Sequence, residues 1–128
     1  EILNDKKTQQ IEKIKNTIIN IVHHQEDPDR IGRLSEILPE LVGQSYSSLS
    51  SLFSDVEGIT IEKYFILQKI EKAKELIVYE EKNINEIAYL LNYSSSQHLS
   101  RQFKNVTGMS PSEFKRTTNS GRKALCDI

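Results

Sequence analysis

"INEIAYLLNYSSSQHLSRQFKNVTGMSPSEFKR", Ile84 to Arg116, decides how the rest of the chain is read. Asn83 stands just before it and can cap a helix, and Glu86, three residues on, completes a capping box. Ile84, Ile87, Ala88 and Leu91 then recur at helical spacing as one apolar stripe. "NYSS" interrupts the stripe, and Asn92 tolerates the left-handed backbone that a tight turn needs. Ser95 can cap a second helix, Ser96 to Thr107, whose Leu99, Phe103 and Val106 face inward. Gly108 is a C-terminal stop. "SPSE", Ser110 to Glu113, then opens a further helix with a cap, a proline at its first position and a glutamate reaching back. The unit is helix, turn, helix, stop.

The same unit occurs earlier in the chain. Adding 50 to each number from Leu34 to Tyr64 aligns the chain with itself without a gap, and nine of 31 positions are identical. Among the identities are Glu36 and Glu86, Ser45 and Ser95, Leu49 and Leu99, Phe53 and Phe103, and Gly58 and Gly108; Tyr64 falls on Phe114. In the first copy Leu34, Ile37, Leu38 and Leu41 form the stripe and Gly43 supplies the turn. Ser45 caps a helix from Tyr46 to Val56, and Gly58 ends it. Pro39 breaks the pattern, since it lacks an N–H, so the first helix is expected to be short, kinked or late in starting. Two copies are too few for a solenoid and suit two small units at a set separation.

Between the copies, Thr60 caps "IEKYFILQKIEKAKELIVY", Ile61 to Tyr79, with Tyr64, Leu67, Ile70, Ala73, Leu76 and Ile77 recurring at threes and fours. One helix of this length spans roughly 28 Å and can set two units about one turn of B-DNA apart. Upstream, "DKKTQQIEKIKNTIINIVHHQ" places Ile11, Ile14, Ile18, Ile21 and Val22 on one face, which suits packing on the first unit first of all, and otherwise on an upstream domain or on a copy of itself. "QEDPDRIG", Gln25 to Gly32, reads as a polar linker. His23 and His24 have no Cys, third His or clustered carboxylate near them in sequence, so no metal site is expected.

Composition bounds the function. No apolar run approaches the roughly 20 residues that span a bilayer. Cys126 is the only cysteine, which excludes an internal disulfide and suits a reducing, cytoplasmic setting. The net charge of −1 conceals a gradient. Residues 1–45 carry six basic and eight acidic side chains, residues 46–93 five and eight, and residues 94–128 six and two. Basic charge thus gathers at one end, as an electrostatic footprint for nucleic acid does.

From Ser94 to Ser112 there is no Asp or Glu. With Leu99 and Phe103 turned inward, the opposite side of their helix carries Ser96, Gln97, Ser100, Arg101 and Lys104. Arginine makes bidentate bonds to guanine, glutamine to adenine, and serine reaches several bases, whereas Lys104 suits a phosphate. A capped helix N-terminus, at Ser95 and at Ser45, also favours an anion. In the first copy the equivalent positions are Ser47, Ser50 and Ser51, short and neutral. The second copy should therefore carry most base readout, and the first should position the protein or read DNA shape.

Ile84 to Arg116 resembles throughout the C-terminal signature of the AraC/XylS family of bacterial transcription regulators, and Ser45 to Ile77 looks like that family's first motif and linker helix. The resemblance covers about Leu34 to Arg116 and departs at Pro39, Asn92 and Lys69, where the family usually has alanine, glycine and arginine. It implies an all-α fold of two helix-turn-helix subdomains joined by a long linker helix, to which the isoleucine pattern adds an extra N-terminal amphipathic helix. The recognition helices would enter successive major grooves of double-stranded DNA. The base-reading positions fall on Ser96, Gln97, Ser100 and Arg101, and on Ser47, Ser50 and Ser51. Expected phosphate contacts are Lys104, Ser45, Ser95, Lys115 and Arg116.

The expected organisation is an N-terminal helix and linker over 1–30, a first helix-turn-helix over 31–59, a linker helix over 60–80, a second helix-turn-helix over 81–118 and a tail over 119–128. Residues 1–30 lie outside the resemblance, which itself implies a sensing or dimerisation domain upstream; RNA polymerase is a further expected partner. No cofactor is expected. With no nucleophile setting, phosphate loop or metal spacing, an enzyme is not expected either. The rival reading is a helical protein-interaction module, and the two part on salt, because counterion release makes DNA affinity fall steeply with ionic strength.

Overall fold

The computed structural model describes residues 5–24, 27–80 and 82–126, with side chains placed for residues 6–118 of these. The described residues form α1 (Asp5–His23), α2 (Pro28–Gly32), α3 (Leu34–Val42), α4 (Tyr46–Glu57), α5 (Ile61–Val78), α6 (Ile84–Leu90), α7 (Ser96–Thr107) and α8 (Pro111–Cys126), and no strand. They divide into two compact units, one ending at Lys69 and one beginning at Ile70, so the boundary falls inside α5.

In the first unit, α1 lies against α3 and α4. The isoleucine face expected from the sequence is the reason: Ile14, Ile18 and Ile21 are fully buried, with Ile11 and Val22 almost so. Lys15 ties the same helix to the end of α4 through a 2.8 Å ion pair with Glu57. The expected linker is partly helical. Asp27 accepts a hydrogen bond from the Asp29 N–H at 3.0 Å and Pro28 takes the first helical position, which is enough to wind one turn and bury Ile31.

The two copies fold alike where their sequences agree. Ser45 accepts from the Ser48 N–H at 3.2 Å, and Ser95 from the His98 N–H at 3.0 Å. Each starts a 12-residue helix that ends in left-handed glycine, Gly58 at φ 78° and Gly108 at φ 86°. Leu49, Phe53, Leu99 and Phe103 are fully buried. The Phe53 ring meets Tyr64 edge-on at 5.6 Å, and Phe103 meets Phe114 edge-on at 5.5 Å, the same pair repeated 50 residues on. Asn83 and Glu86 form the full capping box, as do Ser110 and Glu113.

The turns differ. α3 begins at Leu34, 50 residues before α6 begins at Ile84, and stays helical around Pro39 for nine residues. At nine residues it is longer than the seven of α6 and starts in step with it, so Pro39 neither shortens nor delays the helix as the sequence suggested. It runs through Val42 to left-handed Gly43 (φ 85°), whereas α6 ends at Leu90 and turns at left-handed Asn92 (φ 61°). Leu91 has by then left the helix and tucks in, 2 % exposed; Leu41, still helical, stays 50 % exposed and is not in the core. α8 continues past residue 118, where the sequence suggested a tail. Arg, Lys, Ala and Leu there favour extending a helix already under way.

The cap at Ser95 sets where α7 starts. Ser95→Ala is expected to destabilise the second unit by about 1 kcal/mol, and Ser95→Gly by a few tenths. Thermal unfolding followed by circular dichroism separates the two. Equal losses would assign the cost to side-chain packing rather than to the capping bond.

Candidate nucleic-acid interface

α7 is built from its buried side outward. Leu99 and Phe103 fix its rotation, Ser95 its start and Gly108 its end. That leaves Gln97, Arg101 and Lys104 exposed, and Ser96 and Ser100 half-exposed, on the far side. Among the described residues no hydrogen bond or ion pair engages the side chain of Gln97 or Arg101. Both are therefore presented outward, as the spacing required.

Lys104 and Arg116 are exposed but not indifferent to their surroundings. Glu113 sits below the usual carboxylate range, chiefly because its carboxylate accepts the Ser110 N–H, with help from the positive charges of Lys104 and Arg116. Lys115 is exposed beside Arg116 on α8. Two of the cations expected at phosphates, Lys104 and Arg116, thus act on one carboxylate that is already held in a capping box.

The loop before α7 carries a support that sequence reasoning missed. Tyr93 is 9 % exposed and donates its hydroxyl to Gln102 Oε1. Burial pushes its phenol up. The His98 ring stands edge-on to Tyr93 at 5.2 Å, and Ser94 Oγ lies 3.4 Å from His98 Nδ1. Tyr93 thus links the turn to α7 one helical turn apart from the Ser95 cap. A tyrosine next to the left-handed residue of a turn was the available signal.

α4 offers a different surface. Ser47 and Ser51 are exposed, and Ser45 is exposed at the cap with its hydroxyl also donating to Ser48 Oγ at 3.2 Å. Ser50 is half-buried and hydrogen-bonds to Tyr46, whose own hydroxyl donates to Glu62. Of the three serines expected at bases, two are presented outward and one is partly engaged within the unit. α4 carries no basic residue in its last turn.

His23, at the end of α1, pairs with Gln68 at 2.8 Å. Among the described residues no three of His, Cys, Asp or Glu gather as a metal site. No described helix is long and apolar enough to cross a membrane. The thiol of Cys126 and residues 1–4 lie outside the described side chains.

The profile of a family described as "Helix-turn-helix domain" matches residues 39–117, well over half of the chain. The chain belongs to the AraC/XylS family of DNA-binding domains. Among this family's solved structures, the C-terminal domain of AraT, a response regulator from Geobacillus stearothermophilus, superposes with a TM-score of 0.71 at 27 % identity, covering 84 % of each chain. The DNA-binding domain of AdpA, solved with a target DNA, gives 0.71 at 18 % identity over 88 % of this chain and 96 % of that one, which shows the shared AraC-type fold. A curated relative, the probable transcriptional regulator LumQ of Photobacterium leiognathi, is 28 % identical over 107 residues. That match takes in 82 % of this chain and 42 % of LumQ, so the AraC-type domain spans less than half the relative's length.

Proposed function

We propose that this AraC-type domain binds double-stranded DNA sequence-specifically as part of a bacterial transcription regulator. α7 enters a major groove and α4 enters the next. Gln97, Arg101, Ser100 and Ser96 face base edges from α7. Ser47, Ser51 and Ser50 do so from α4, and Ser45, Ser95, Lys104, Lys115 and Arg116 hold phosphates. The single observation that carries this reading is the outward side of α7: no acid occurs from Ser94 to Ser112, and Gln97 and Arg101 are unengaged among the described residues. A face that is merely solvated mixes signs, whereas this side of α7 carries only cations and neutral polar groups.

The rest of the regulator follows from the same reading. The domain has no catalytic task and acts in the cytoplasm, where the DNA is. A sensing or dimerisation domain precedes it in the full-length chain, and bound DNA places the regulator beside RNA polymerase.

The two units contribute unequally, because serines cannot form the bidentate clamps open to Gln97 and Arg101. Gln97→Ala is expected to weaken binding to a selected site more than Ser51→Ala does. Selection of oligonucleotides from a random pool at fixed salt, followed by titration of both variants, measures this. A larger loss at Ser51 would reverse the ranking. A pool that fails to enrich at low salt, where electrostatic attraction to DNA is strongest, would reject DNA binding in favour of a protein-interaction module.

A further inference from the structure

Asp55 lies in the last turn of α4, exposed, next after Ser54. A negative charge there opposes the helix dipole, whose C-terminal end favours cations. Glu57 in the same turn has an answer to this in Lys15, 2.8 Å away. Among the described residues Asp55 has no such partner. It is therefore a charge that the fold does not use.

Its place on the helix says where it points. Asp55 follows Ser51 by four residues, so it continues the outward side that carries Ser47 and Ser51. The repeat shows what the position holds in the other unit. Fifty residues on, Ser54 and Asp55 become Lys104 and Asn105, a cation and a neutral amide. The first unit thus offers an anion on the flank where the second offers none.

We propose that Asp55 is a specificity-determining residue of the first unit. On a matching site its carboxylate accepts a hydrogen bond from an exocyclic base amine, cytosine N4 being the donor that fits. On any other sequence the carboxylate meets groove acceptors and phosphates and repels them. Most of a DNA-binding protein's affinity for random sequence is electrostatic. One repelling carboxylate on the recognition side therefore subtracts from that affinity selectively. It gives a serine-faced helix, which has no bidentate contact to offer, a means of discrimination.

This inference rests on the DNA reading above, and its test keeps the two apart. The chain, Asp55→Asn and Asp55→Glu are titrated against the selected duplex and a random duplex at about 100 mM salt. Asp55→Asn is expected to raise affinity for the random duplex roughly 3- to 10-fold while leaving or lowering that for the selected one, so the ratio falls by at least that factor. Asp55→Glu keeps the charge and is expected to keep the low random affinity. An unchanged ratio in Asp55→Asn, with the unaltered chain binding its site, overturns the role of Asp55 and leaves the DNA reading standing. The same holds if Asp55→Glu behaves as Asp55→Asn, since charge would then not be the cause. Failure of the unaltered chain to bind any duplex rejects the DNA reading and this one with it. Removing a charge adverse to the helix keeps the melting temperature at or above its starting value, so misfolding does not mimic either result.

Discussion

Phe103→Ala is expected to cost the second unit about 3–5 kcal/mol and to abolish DNA binding with it. Phe103 is fully buried, and its ring meets Phe114 edge-on at 5.5 Å. Alanine removes the transfer term, leaves a cavity and deletes the aromatic pair that joins α7 to α8. The unit has few large side chains to absorb such a loss; among the described residues Leu99, Leu91, Ile87, Ile77, Leu76, Ile70 and Tyr93 are its other large core members. Hydrogen exchange of the α7 amides reads the local effect, because protection there follows the stability of this unit. Phe103→Leu keeps most of the volume and is expected to lose clearly less. A loss below about 1 kcal/mol in Phe103→Ala would mean that α7 is held by something other than this anchor.

Arg101→Ala is expected to cost about 1–3 kcal/mol on the selected site and to relax preference at one base position. The arginine is exposed and has no partner among the described residues, so the melting temperature should hold on its removal. Lys104→Ala makes the contrast: it should weaken selected and random duplexes alike and lower the salt slope by about one. Arg101→Ala losing equally on both duplexes would place Arg101 at a phosphate.

Local rules carried much of this fold. Asn83 with Glu86, Ser95 with the His98 N–H, Gly108 with the Lys104 carbonyl, and Ser110 with Glu113 each settle within four residues of backbone, so their sequence alone specifies them. The apolar stripes of α1 and α7 were legible for the same reason. What escaped depends on where the chain goes next. Leu41 and Leu91 match in the alignment, yet one is half exposed and the other buried, because the helices before them end at different points. α2 depends on a single cap and proline inside a stretch rich in turn formers. The bond from Tyr93 to Gln102 spans nine residues, beyond the reach of any helix-spacing rule. On the outward faces, residue type pointed to Gln97 and Arg101 directly. The engagement of Ser50 by Tyr46 required coordinates.

The serine surface of α4 has a bearing on what kind of duplex this domain tolerates. Hydroxyls at Ser47 and Ser51 have short reach, so contact with a base requires the α4 backbone itself to sink to the floor of the groove. Arg101 on its long stem makes no such demand of α7. Stiff tracts that resist widening should accordingly hinder the first unit alone, and a bend or supercoil that opens the groove should bring it into register.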